Sequence, residues 1–241
     1  MDLVDALRTT GAVRAFLPRA VDDDTVSRIL DTARFAPSGG NRQAWKVIVV
    51  RDAARKTVLR DLYLPGWYDY LAQGAAGLVP WAPITDRGAE ARALDGAPAM
   101  AEAARQGPGG FAEHLDEVPA LLLVLADLRK LATVDRDTGH YTIVGGASVY
   151  PFVWSILLAA RLEGLAGVIT TMVVQREAEV RAAFDVPDHM VVAALVALGH
   201  PVHQPRRLRR DAVDTFTTID TLDGPPLRPA PGAPAAPGGA G

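Results

Sequence analysis

The sequence contains no cysteine. That absence excludes disulfide frameworks, thiolate metal sites and cysteine nucleophiles together, and it leaves the redox compartment without a signature. An excess of one charge is also missing. The 25 Lys and Arg stand against 28 Asp and Glu, for a formal net charge of -3 and a pI of about 5.9. Such a balance offers no pull toward nucleic acid or an anionic membrane, and neither is expected as a partner. Long apolar runs are lacking too. The longest, residues 121–126 and 190–198, fall far short of the roughly 20 residues that span a bilayer. The opening Met1-Asp2-Leu3-Val4-Asp5 has no basic region followed by an apolar run. The expectation is a cytoplasmic protein without a signal peptide. There is no G-x-S-x-G nucleophile motif, no P-loop and no G-x-G-x-x-G following a strand. His114, His140, His189, His200 and His203 show no metal-ligand spacing among acidic partners, so no metal is expected.

What is present is an ordinary globular composition of 49% hydrophobic and 22% charged residues over 241 positions. Such a chain can bury a substantial core. Helices are expected at 2–8 and 22–35. In the second, Asp22, Asp23 and Asp24 suit a helix start, and Val26, Ile29, Leu30 and Ala33 recur at helical spacing. A loop is expected at 37–41, where Pro and paired Gly break the pattern. A β-branched strand follows at 46–51 and a helix at 53–64. Residues 65–108 read as an excursion from the core with one helix near 98–105. Further on come a buried strand at 120–126, a long helix at 149–162, a turn and short strand at 164–171, a short helix at 176–184 and a buried strand at 190–198. Helices and strands mix without strict alternation, which predicts an α+β fold. Residues 1–224 are expected to form one domain. Residues 225–241, nearly all Pro, Ala and Gly, read as a flexible tail.

Three segments carry chemistry. In the first, Arg8 to Phe16, the arginines beside a helix end suit a phosphate; they also read as solvated cations on a surface turn. In the second, Ala36 to Trp45, Gly39 and Gly40 allow close backbone approach. Ser38, Asn41 and Gln43 offer donors and acceptors of both kinds, as a flat heteroaromatic ring with carbonyls and ring nitrogens requires. A plain polar turn is the other reading. In the third, Gly199-His200-Pro201 leads into Arg206, Arg207, Arg209 and Arg210. That cluster reads as a phosphate site or as a solvated face.

Taken in order, these segments resemble the FMN-dependent nitroreductase family. That family opens with R-R-S-x-R-x-F, continues with A-P-S-x-x-N-x-Q-P-W, and closes with a G-L-G turn and a strand ending in G-x-P before a basic segment. Arg14 and Phe16 match the end of the first motif. Ala36, Pro37, Ser38, Asn41, Gln43 and Trp45 match the second. Gly164-Leu165-Ala166-Gly167 with Thr170-Thr171 is similar to the third, and Gly199 and Pro201 match the fourth. The resemblance runs from residue 1 to about 223, and the second motif is its most specific part. Two positions depart. Thr10-Gly11-Ala12 stands where the family has Arg-Arg-Ser, leaving Arg8 and Thr9, or Arg207 and Arg209, to carry more of the phosphate. Ala44 replaces the Pro before Trp45.

The resemblance implies a nitroreductase-like fold with a mainly antiparallel sheet flanked by helices, in an obligate domain-swapped homodimer with two FMN sites at the interface. It assigns Arg8, Thr9, Arg14, Pro37, Ser38, Gly39, Asn41, Gln43, Arg207 and Arg209 to the cofactor, with the first two motifs and the basic tail acting from one subunit. Ile169, Thr170 and Thr171 lie beside the flavin ring, although β-branched residues suit a strand in any case. Tyr63, Trp67, Tyr68 and Tyr70 are candidates to face a flat substrate, and each also suits core packing. No residue is assigned as catalytic, because the cofactor carries the chemistry. The implied reaction is ping-pong reduction of a nitroaromatic, quinone or similar small-molecule acceptor, with NADH or NADPH as reductant. The alternatives are a biosynthetic flavin-dependent dehydrogenase or oxidase, and a flavin-sequestering protein without turnover.

Overall fold

The computed structural model describes residues 2–140 and 142–228. Along the chain these form α1 (Leu3–Thr9), α2 (Asp23–Ala33), β1 (Trp45–Val50), α3 (Ala53–Ala75), α4 (Arg87–Leu94) and α5 (Ala97–Gln106). There follow β2 (Ala120–Asp127), α6 (Tyr150–Leu162), β3 (Ala166–Thr170), α7 (Glu177–Ala183) and β4 (Met190–Gly199). Contacts divide the chain into two compact units, residues 12–204 and the pairing of residues up to 11 with those from 205 onward. Among the described residues no helix is long and apolar enough to cross a membrane.

The larger unit is built on one four-stranded sheet in the order β1-β2-β4-β3, with every pairing antiparallel. The expected α+β class and helix-flanked antiparallel sheet are therefore observed. β2 lies inside the sheet and is buried along its whole length. Its continuous apolar run is what a strand covered on both faces requires. Leu122 and Val124 point into a core shared with α2 and α6, while Leu121, Leu123 and Leu125 point into one shared with α3 and α7. On β4 the alternation breaks. Leu125 pairs with Val192 but Val124 with Ala194, so Ala193 is an extra residue. This bulge switches faces, sending Val192 and Leu195 into the same core.

The flanking helices follow from local chemistry. Asp22 caps α2 by accepting from the Thr25 N–H at 2.6 Å. Val26, Ile29 and Ala33 then bury one stripe. The Arg28 guanidinium grips the Glu163 carboxylate at 2.7 Å, tying α2 to the end of α6.

Two expectations for the middle of the chain are corrected. α3 runs to Ala75, through Pro65, rather than ending at residue 64. Proline removes one helical N–H, which normally breaks a helix. Here Leu59 and Tyr63 before it, and Gly66 and Ala72 after it, are all buried, so packing on both sides outweighs the lost bond. Gly66 has its own reason, since a Cβ there would stand 3.0 Å from the Met172 Sδ. The excursion also holds α4 as well as the expected helix near 98–105. Asp86 caps α4, accepting from the Gly88 and Ala89 N–H groups.

In the smaller unit, Asp2 caps α1 through the Asp5 N–H at 2.8 Å. Leu208 packs on Gly11, where a Cβ would meet its Cδ2 at 2.8 Å. Thr218 bridges to Pro226. The expected flexible tail falls, from residue 229 onward, outside the described residues.

One acidic group makes stability depend on pH. The Asp127 side chain, 5% exposed, receives the Arg129 guanidinium at 2.9 Å. That bond, with the Arg129 N–H, lowers its pKa from 3.8 to about 2. A lowered folded pKa stabilises above the unfolded value and loses that contribution as pH falls. Asp127→Asn is therefore expected to flatten the stability curve between pH 3.8 and about 2. Thermal melts of both proteins across that range measure it.

Candidate functional site

The first motif is stitched to the sheet. The Val13 N–H donates to the Gly167 carbonyl at 2.9 Å, Leu17 N–H to His200, and Val202 N–H to Ala15. Phe16 lies against Gly199, where a Cβ would stand 2.8 Å from the ring. Gly199 and Pro201 thus serve as the seat for Phe16. Val13 is buried and Arg14 exposed.

Arg14 lines a cleft of about 460 Å³ with Tyr63, Trp67 and Tyr70 from α3 and with Ile169, Thr170 and Thr171 from the end of β3. Segments separated by some fifty and a hundred residues meet here, on the order of a domain's full fold. Trp67 and Tyr70 stack at 5.5 Å with their planes 6° apart. Thr170 Oγ1 donates to the Tyr63 hydroxyl at 3.2 Å. Burial raises the Tyr63 pKa, with the Thr170 bond and the Arg14 charge acting against it. Its phenol stays protonated at neutral pH. Since Gly167 turns its carbonyl outward to Val13, strand alternation turns the backbone of Ile169 to the same open edge.

The second motif forms a loop leading into β1. Ser38 Oγ accepts from the Gln43 N–H at 3.0 Å, and Ser148 Oγ accepts from the Gly39 N–H at 2.9 Å. Gly40, Asn41 and Gln43 take positive φ of 61°, 53° and 49°. Left-handed backbone is ordinary for Gly and tolerated by Asn, but uncommon for Gln. Pro37, Gly39, Asn41 and Gln43 are exposed and Ser38 half-buried. Gln43 Nε2 donates to Asn41 Oδ1 at 3.1 Å. Among the described residues this leaves Asn41 Nδ2 and Gln43 Oε1 as a donor beside an acceptor, both open to an outside ligand. Trp45 anchors the loop's end, stacked on Phe152 at 4.6 Å.

These residues do not line the Arg14 cleft. β1 and β3 are opposite edges of the sheet, so three strand spacings, about 14 Å, separate them. Tyr68 also stays out of the cleft; its neighbours are Glu113 and Arg105. Arg8, Thr9, Arg207 and Arg209 belong to the smaller unit, where all but the half-buried Thr9 are exposed. Sequence reading missed Ser148, which gives no signal because its role depends on a partner 109 positions away. It also missed Met172, whose N–H donates to Thr170 Oγ1 at 3.4 Å.

The fold and cleft together define an α+β scaffold with an aromatic-walled cleft beside the end of β3. The chain belongs to the nitroreductase family, whose family model matches residues 7–200. It is 31% identical over 203 residues to the 5,6-dimethylbenzimidazole synthase of Rhodospirillum rubrum, covering 81% of this chain and 82% of that protein. It is 27% identical over 204 residues to an NADH dehydrogenase of Thermus thermophilus, covering 85% and 89%. Among solved structures, iodotyrosine deiodinase bound to FMN and 3-iodo-L-tyrosine matches with a TM-score of 0.63 at 21% identity, covering 92% of this chain and 100% of that one. An FMN-dependent nitroreductase from Clostridium difficile matches at 0.59 and 16%, covering 91% and 100%.

Proposed function

We propose that this protein is an FMN-dependent oxidoreductase that takes hydride from NADH or NADPH and reduces an aromatic acceptor such as a quinone or nitroarene. The observation that carries the reading is the cleft in which Arg14, the buried Tyr63 phenol, stacked Trp67 and Tyr70, and the open edge at Ile169–Thr171 meet. The available donor set fits the cofactor. A flavin ring edge offers acceptor, donor and acceptor in turn, and the open Asn41 and Gln43 amides supply the complementary donor and acceptor. Arg14 would hold an anionic group through a charge-assisted bond. When bound, FMN supplies the two-electron store that serves donor and acceptor in turn. The protein's own residues bind, orient and exclude water. Tyr63 keeps a proton at its hydroxyl inside the cleft, and the α3 rings offer a flat apolar wall.

The loop carrying Asn41 and Gln43 stands across the sheet from the cleft. The resemblance put the first two motifs on one subunit, but with β1 and β3 at opposite sheet edges we infer instead that the complete site combines the cleft of one copy with the loop of a second, in a homodimer. The expected setting is the cytoplasm.

Arg14→Ala is expected to weaken FMN binding by roughly 1.5–3 kcal/mol, the scale of a bond to a charged group, while riboflavin affinity stays unchanged. Fluorescence titration with both flavins measures this. Equal affinity for FMN and riboflavin in the wild-type protein would contradict a phosphate role.

The relative at 31% identity is named a synthase, and that favours a biosynthetic oxidase as the second reading. Oxygen uptake by the NADH-reduced protein, unaffected by added quinone, would select it. A bound flavin that NADH and NADPH leave oxidised would instead mark a sequestering protein.

A further inference from the structure

Beside the cleft lies a second one, of about 530 Å³, that shares Tyr70, Thr171 and Met172 with it. We propose that this second cleft is a distal subsite for the far ring of an uncharged acceptor containing two or more aromatic rings. The inference rests on the function proposed above, and takes the reducible ring to lie against the wall that Tyr63, Trp67 and Tyr70 give the first cleft.

Three observations carry it. First, the rings form a row. Tyr70, on the boundary, stacks on Trp67 at 5.5 Å and meets Trp81 at 6.2 Å. A flat ligand passing from one cleft to the other keeps an aromatic neighbour along the way. Second, among the described residues the distal lining contains no Lys, Arg, His, Asp or Glu, whereas Arg14 lines the first cleft. An ionised end group entering the distal cleft would lose water and gain no counter-charge. A zwitterionic amino acid is thereby disfavoured, and a neutral ring is preferred. Third, Trp81 is held in an uncommon backbone conformation. Its φ is 53°, which is an outlier for a bulky residue. Its N–H donates to Gln73 Oε1 at 3.0 Å, and Gln73 is 1% exposed. Strained backbone persists where the surroundings fix it, and it clusters at ligand clamps. Gln73 is thus a positioning residue that sets Trp81 as the outer wall.

The test compares two neutral probes with the same reducible ring, 1,4-benzoquinone and phenyl-1,4-benzoquinone, binding to the oxidised holoprotein by calorimetry without any reductant. The wild-type protein is expected to hold the phenyl compound at least about tenfold more tightly, the scale of burying one ring. Trp81→Ala is expected to remove roughly two- to tenfold of that advantage and leave 1,4-benzoquinone unchanged, with Trp81→Phe retaining most of it. Val174, 38% exposed and lining the distal cleft, provides a variant that leaves the core alone. Val174→Trp is expected to fill the subsite and abolish the phenyl preference. A wild-type protein with no phenyl preference overturns the inference, whether the cleft is covered by a second copy or simply unused. So does a preference that survives Val174→Trp. Failure of the underlying function shows separately, as a flavin that neither NADH nor NADPH reduces, and the binding comparison still decides the subsite in that case.

Discussion

Gly167→Ala is expected to destabilise the fold by about 3 kcal/mol or more, at or beyond the upper end of ordinary overpacking. A Cβ at Gly167 would stand 2.2 Å from the Ala197 carbonyl oxygen and 2.6 Å from Leu198 Cδ2. The first of these is backbone inside the β3–β4 ladder, so it cannot swing aside as a side chain can. Relief would have to come from moving β3, which also carries the carbonyl that receives Val13, includes Ile169 and Thr170, and leads into Thr171. Stability and the cleft should therefore fail together. In a protein of this size the loss corresponds to a fall in Tm of roughly 6–12 °C or more. Gly74→Ala is the control. That position lies inside α3 with nothing within 4 Å of an added Cβ, so alanine is expected to stabilise by about 0.5–1 kcal/mol. Calorimetric melts of the two variants should move in opposite directions. A Gly167→Ala protein with an unchanged Tm would show that β3 does not sit against β4 as described.

The second large effect concerns how the site is assembled. Arg14→Ala and Asn41→Ala proteins are each expected to bind FMN poorly. Co-expressed, they should regain about a quarter of the wild-type sites, because random pairing makes half the dimers mixed and each mixed dimer then holds one site with both residues intact. The reason is the separation already described, with Arg14 beside β3 and Asn41 ahead of β1 at opposite edges of the sheet. If Arg14 and Asn41 of one chain served the same flavin, every site in the mixture would lack one of them and nothing would be regained. Flavin stoichiometry of the co-expressed protein distinguishes the two results.

Much of the fold was legible because its cores are written in period. Val26, Ile29 and Ala33 mark the buried stripe of α2. The unbroken apolar run of β2 announces a strand covered on both faces. The bulge at Ala193 was not legible, since an extra apolar residue in an apolar strand leaves no local mark. Nor was the passage of α3 through Pro65, where local chemistry predicts an end and burial of Tyr63, Gly66 and Ala72 decides otherwise. The site divided in the same way. Arg14, Tyr63, Trp67, Tyr70 and Ile169 to Thr171 converge on one cleft as named residues. Their company with Thr170 bonded to Tyr63, and the absence of Tyr68 and Asn41 from that cleft, depend on helix phase and strand order. Trp81 lay in the least readable stretch, and its significance comes from a backbone angle and a glutamine eight positions away.

FMN-dependent turnover shows first in the visible absorption spectrum of the purified protein, before and after NADH or NADPH, followed by heat release and identification of the chromophore. The expected protein is yellow, releases FMN, loses its flavin absorbance with one of the two reductants, and recovers it when a quinone is added. A colourless protein that also fails to take up added FMN would contradict FMN dependence.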